Sequence, residues 1–143
     1  MNNTNGFLIS DDKELLQIDS VTELLHTTHW ARNRSESIIL ESIKNSICFG
    51  VYFENKQIGF ARCVTDYCTV YWLCDVIIDE KYRGQGLGKA LIHHIVEHKD
   101  LKSLMGILSS RDAKGLYEKY GFKLSTNGFM LKSKPRISKK KQQ

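Results

Sequence analysis

Arg83-Gly84-Gln85-Gly86-Leu87-Gly88 sets three glycines on alternate positions, after an apolar β-rich run and before a helical one. Glycine lets a backbone turn sharply and approach a ligand closely. The first amides of a new helix have no intrahelical acceptor, and the helix dipole adds positive potential there. The chemistry implied is the binding of a phosphate or pyrophosphate. The spacing argues against two common users of this device. A P-loop needs Gly-Lys followed by Ser or Thr, whereas Ala90 follows Gly88-Lys89 and offers no hydroxyl to Mg²⁺. A dinucleotide fingerprint needs a glycine three residues after its second, and from Gly86 that position is Lys89.

Other residues could act on what the glycines hold. Asp75 interrupts the apolar run Thr69–Ile78, and an acid so placed is either a half-buried base of raised pKa or a hydrogen-bonded anchor. His29 beside Trp30 is a weaker base. His94 and His98 share one helical face, but no cysteine or carboxylate completes a metal set with them or His93. No metal is expected, and a solvated helix face accounts for the three.

These residues need elements to position them. Phe7–Ser10 reads as a strand. Ser20 with Glu23 forms a capping-box pattern opening a helix through Val21, Leu24 and Leu25, and Ser35 is an N-cap for a helix with Ile38, Ile39 and Ile43. Residues 47–53 and 57–64 predict a hairpin across Glu54-Asn55-Lys56. The run Thr69–Ile78 is apolar enough for a central strand covered on both faces. Beyond the glycines, Leu87, Ala90, Leu91, Ile95 and Val96 predict an amphipathic helix. Residues 104–108 read as a buried strand, and Asp112 caps a helix over 113–120 that ends at Gly121 in the left-handed conformation. Residues 122–124 and 129–131 read as two closing strands. Strands and helices in this order predict an α/β layer fold with a partly parallel sheet.

Two of these segments resemble the signatures of the GNAT N-acetyltransferase superfamily. Arg83-x-x-Gly86-x-Gly88 is similar to its acyl-CoA pyrophosphate motif. Ala113-x-x-Leu116-Tyr117-Glu118-Lys119-Tyr120-Gly121-Phe122 is similar to its second signature, in the right order. The resemblance covers roughly residues 46–131 and implies the GNAT fold, a mixed sheet flanked by helices. It implies acetyl-CoA as co-substrate, its pyrophosphate held by backbone amides of Arg83, Gly84, Gln85, Gly86, Leu87, Gly88 and Lys89. Val76, Ile77 and Ile78 would pair with the pantetheine arm like an added strand, and an N–H there would polarise the acyl carbonyl. Ser110 stands where the family often has Asn, so its hydroxyl would reach the pantetheine less far. Tyr117 sits where the family often places the acid that protonates the leaving thiolate, with Asp75 as the candidate base. The loop Trp30-Ala31-Arg32-Asn33-Arg34 occupies a region that lines the acceptor pocket in this superfamily. Trp30 and Trp72 would wall that pocket, and Arg32 or Arg34 would clamp an anionic group.

The expected reaction is therefore direct attack of a small-molecule primary amine, amino-acid-like and anionic, on acetyl-CoA. An acyl-CoA sensor without turnover, or transfer to a protein amine, are the alternatives. Composition sets further bounds. The 143 residues predict one domain, taken as 1–134, with a basic, disordered tail at 135–143. The formal charge is +5, and six positive residues at and beyond Lys132 leave residues 1–131 at −1. A nucleic-acid footprint over the whole domain is not indicated. No apolar run approaches the ~20 residues of a membrane span. Four cysteines without a C-x-x-C pair, and no apolar leader, predict free thiols in the cytoplasm. Homodimers are common in the superfamily, and a dimer is expected here by analogy alone.

Overall fold

The computed structural model describes residues 2–111 and 114–135. The expected cap at Asp112 and the basic tail beyond 135 lie outside the described residues. Six strands form one sheet in chain order: β1 (Asn2–Thr4), β2 (Phe7–Ser10), β3 (Ile47–Phe53), β4 (Lys56–Thr65), β5 (Val70–Ile78) and β6 (Met105–Ile107). Neighbours from β1 to β5 are antiparallel, and β5 and β6 are parallel. Helix α1 (Ile18–His26) and α2 (Glu36–Lys44) lie between β2 and β3, α3 (Leu87–Val96) joins β5 to β6, and α4 (Lys114–Glu118) follows β6.

The sheet is covered on both faces, as the apolar run of β5 requires. One core layer joins Leu87, Leu91, Ile92 and Ile95 of α3 to Phe49, Cys63, Tyr71 and Leu73. The other joins Val21 and Leu25 of α1 and Ile39 and Ile43 of α2 to Cys48 and Phe60. Ser35 caps α2 as expected, its hydroxyl accepting from the Ile38 amide. Ser20 does not open α1: the helix begins at Ile18 and Ser20 is buried inside it. Gln17 takes the cap position, and its side chain bridges to the backbone of Gln57 and Asn55. A tertiary contact thus places this start where a local pattern pointed three residues later.

Both ends of the sheet depart from expectation. β1 is polar and carries no hydrophobic signal, but Asn5 and Gly6 have φ of 50° and 85°, the pair of positive angles that a two-residue hairpin turn demands. Residues 122–124 and 129–131 form no strand. Leu124, Met130 and Leu131 are exposed, and Phe129 sets its ring edge-on to Trp72 at 5.8 Å. Each three-residue segment packs through one ring, Phe122 on Tyr117 and Phe129 on Trp72, and so short a segment has little to gain from strand pairing, whatever its β propensity. β6 is also shorter and more exposed than expected: Met105 faces out and Leu104 and Leu108 flank the strand rather than extend it. Gly121 adopts φ +92° after α4, as the C-cap reading requires.

Candidate active site

β5 runs antiparallel to β4 as far as Ile78, but its other side pairs with β6 only over Val70–Trp72. Beyond Trp72 the strands part. One edge of β5 from Leu73 to Ile78 thus faces a gap, with main-chain groups available to a guest that pairs like a strand. The gap is the floor of a cleft of about 1050 Å³. Val76, Ile77 and Ile78 line it.

The glycine cradle closes one end. Gly84 and Gly86 have φ of +83° and +81°, the left-handed region that an L side chain rarely adopts. Gly86 is the N-cap of α3 and supplies no side chain to satisfy the helix start. The first intrahelical bond runs from Ala90 N–H to Gly86 C=O at 3.0 Å. The amides of Leu87, Gly88 and Lys89 therefore stand without intrahelical acceptors at the cleft. Arg83 donates from Nε to Ile78 C=O at 3.0 Å, tying the cradle to the end of β5. Arg83, Gly84, Gly86, Leu87 and Gly88 all line the cleft. The Gln85 side chain turns away to Tyr82 C=O, and the exposed Lys89 side chain lies beside Lys119.

Across the cleft, Ser110 and Tyr117 contribute from beyond β6. Tyr117 is 9% exposed and packs edge-on against Phe122. Burial pushes its phenol above the usual tyrosine value, so it is protonated at neutral pH. No hydrogen bond holds its hydroxyl among the described residues, which leaves a donor for a guest.

The far end holds the acceptor-side candidates. Trp30, Arg34, Trp72 and Asp75 line it; Arg32 is exposed and lies away from it. Asp75 is where the structure departs furthest from the expected base. Asp75 and Val76 together face Ala61, a bulge of one extra residue in β5, and Asp75 has φ +55°. Its carboxylate accepts from Arg34 Nη1 and Arg62 Nε, both at 2.8 Å, and from Trp30 Nε1 at 3.0 Å. Burial pushes the carboxyl up, but the hydrogen bonds from Arg62 and Arg34 outweigh it and hold the group below the usual carboxylate range. A carboxylate so engaged is an anchor and a poor base. Arg34 in turn is half committed to Asp75, with 22% of its side chain still exposed.

Comparisons with known proteins agree with this geometry. The acetyltransferase (GNAT) domain profile matches residues 44–124, more than half of the chain. The chain belongs to the GNAT acetyltransferase family. A crystal structure of a GNAT-family protein from Xanthomonas campestris is 34% identical with a TM-score of 0.85, covering 90% of this chain and 94% of that one. A Gibberella zeae protein assigned as an acetyltransferase is 28% identical over 111 residues, 64% of this chain and 63% of its own length. The chain thus spans somewhat under two thirds of that curated relative. A GNAT acetyltransferase of Elizabethkingia anophelis, seen with acetyl-CoA bound, shares the fold at a TM-score of 0.66 and 17% identity, covering 85% of this chain and 79% of its own.

Within this GNAT domain, sequence reasoning missed Arg62. It reads as one polar residue in a β-rich run, and no spacing signals that its guanidinium crosses to the next strand. The histidines in and just beyond α3, His93, His94 and His98, also differ from expectation, for α3 ends at Val96 and His98 does not continue its face. Phe49 packs edge-on with both His94 and His98, and His98 Nε2 lies 2.7 Å from Asp11 Oδ2, so two of the three are built into the structure rather than solvated. Among the described residues, no group of three or more His, Cys, Asp or Glu is arranged around a metal position, and no helix is long and apolar enough to cross a membrane. Cys48 and Cys63 are buried, Cys74 is half-buried and Cys68 is exposed, all four as free thiols.

Proposed function

We propose that this protein transfers the acetyl group of acetyl-CoA to the primary amine of a small, anionic, amino-acid-like acceptor, by direct attack with both substrates bound. The observation that carries the reading is the continuity of one cleft, from the unpaired amides at the start of α3, along the open edge of β5, to Trp30 and Arg34. The amides and helix dipole take the pyrophosphate. The edge of β5 takes the pantetheine as an extra strand, and a main-chain N–H beyond the bulge polarises the thioester carbonyl. Most of the rate then comes from holding amine and thioester together.

The amine nitrogen forms the C–N bond as the C–S bond breaks. The amine must shed a proton. With Asp75 engaged by two arginines, His29 is the imidazole that lines the cleft among the described residues, and it is the base of this reading. The departing sulfur carries the electron pair of the broken bond. Burial raises the Tyr117 phenol further above the range of a free thiol, so complete transfer of its proton to the departing thiolate is uphill. Tyr117 therefore acts as a hydrogen-bond donor to the developing thiolate, with the proton following. The spare guanidinium N–H groups of Arg34 and Arg62 favour an acceptor carrying a carboxylate or phosphate. Four free thiols fit a reducing compartment such as the cytoplasm.

The test is a panel of acidic, neutral and cationic amines incubated with acetyl-CoA and read by thiol release. Turnover selective for amines that also carry an anion supports the reading. Acetyl-CoA binding without turnover on any amine would make the protein a sensor.

A further inference from the structure

We infer that Asp75 is a positioning residue that fastens the acceptor-side wall of the cleft to the strand that grips the donor, an inference that rests on the reading of the cleft as an acetyl-CoA and amine site. Residues alternate faces along a strand, and Tyr71 and Leu73 point into the core layer under α3. Continued alternation would send residue 75 the same way. The extra residue at Asp75–Val76 breaks the alternation and turns Asp75 to the opposite face, where α1 and α2 pack. An aspartate tolerates the left-handed angle this needs better than most side chains.

On that face Asp75 gathers three donors from different parts of the chain. Trp30 and Arg34 come from the α1–α2 connection and Arg62 from β4. Arg62 continues through Nη1 to Ser46 Oγ at 3.1 Å, just before β3. The residue is 5% exposed, so these bonds replace water rather than compete with it. One carboxylate against two guanidinium groups leaves a net positive charge beside the cleft, held in a fixed orientation. The same residue begins the bulge that leads into Val76–Ile78, the donor-gripping stretch. Asp75 thereby sets both the place of the acceptor wall and the orientation of its cations.

Asp75→Asn is the discriminating variant. Asn also tolerates a positive φ and keeps an oxygen for Trp30, but it removes the charge that orients Arg34 and Arg62. The expected result is a rise of at least about tenfold in KM for the acidic amine, with acetyl-CoA affinity by calorimetry within about twofold. The acid limb of the kcat/KM pH profile keeps its midpoint, because the proton goes elsewhere. In the ligand-free protein, hydrogen exchange speeds up across residues 27–34 and stays unchanged in α3. Arg34→Lys, which keeps the charge and loses the planar fork, gives the same pattern at smaller size. An unchanged acceptor KM together with unchanged exchange in 27–34 overturns the inference, as does disappearance of the acid limb, which would make Asp75 the base. If the wild type acetylates no amine but Asp75→Asn still loosens 27–34, the fastening role stands and the acceptor reading falls.

Discussion

A Cβ built on Gly88 would lie 3.7 Å from Leu116 Cδ2, so the first turn of α3 and the body of α4 touch at the cradle. Leu116 packs over a glycine of the proposed pyrophosphate cradle, and Tyr117, one residue on, lines the cleft. The two signatures are thus one contact surface, although Leu116 lies 28 positions after Gly88 in the chain.

Gly86 and Gly88 should respond differently to alanine. At Gly86 nothing lies within 4 Å of an added Cβ, but φ is +81°. The glycine is there for its backbone, and alanine should cost about 1 to 2 kcal/mol in urea unfolding. Acetyl-CoA affinity should fall at least about tenfold as the N-cap rearranges. At Gly88 the angle is ordinary and the neighbour is in normal van der Waals range, so Gly88→Ala should unfold within about 0.5 kcal/mol of wild type. Equal losses of stability at both sites would show that the left-handed cap is not what the glycines provide.

Tyr117→Phe should lower kcat by about 10²-fold with little change in acetyl-CoA affinity. Because burial raises its pKa above the usual tyrosine value, the phenol stays protonated well past neutral pH. No fall in kcat between pH 7 and about 9 should therefore trace to Tyr117, and Tyr117→Phe should leave the shape of the profile over that range unchanged. Wild-type turnover in Tyr117→Phe would remove the hydroxyl from the mechanism.

What the sequence made legible was local. The glycine spacing, the apolar run of β5 and the amphipathic stripe of α3 each depend on neighbours in the chain, and the fold class and the cradle follow from them. What it hid was tertiary. Asp75 could be a base or an anchor until Arg62 and Arg34 were seen on it, because the register slip that turns it leaves no mark in composition. The start of α1 depends on Gln17 reaching Gln57, forty residues away. The apolar segments 122–124 and 129–131 carry strand-like residues without partners, and propensity alone does not supply them.

The ion pairs of Asp75 should appear as acid lability. Its folded pKa lies below the ordinary carboxylate value. A depressed pKa contributes stability that is present above the unfolded value, about 3.9, and is lost as pH falls through the folded one. Asp11 is shifted the same way, chiefly by its hydrogen bond to His98. Stability measured by urea at successive pH values should therefore drop below about pH 4, and Asp75→Asn should flatten that drop. At pH 7 the same variant should cost about 3 kcal/mol, since two partly buried guanidinium groups lose their counter-charge. A wild-type stability that is level through this range would mean the pairs contribute nothing net.

Cys74 offers a reporter inside the cleft. Burial pushes its thiol up to about 11, against a small opposing pull from Arg62. Cys48 is pushed by burial to about 12, and Cys63 further still. Cys68 is fully exposed, and its hydrogen bond with Asp66 raises its pKa. Iodoacetamide at neutral pH, read by peptide mass spectrometry, should label Cys68 first, because access outweighs a modest shift. Labelling of Cys74 should be slow and rise about tenfold per pH unit as the thiolate fraction grows. Saturating acetyl-CoA should suppress the Cys74 reaction and leave Cys68 unaffected, since only Cys74 lines the cleft. Protection of both thiols, or of neither, would place the bound acetyl group away from the bulge of β5.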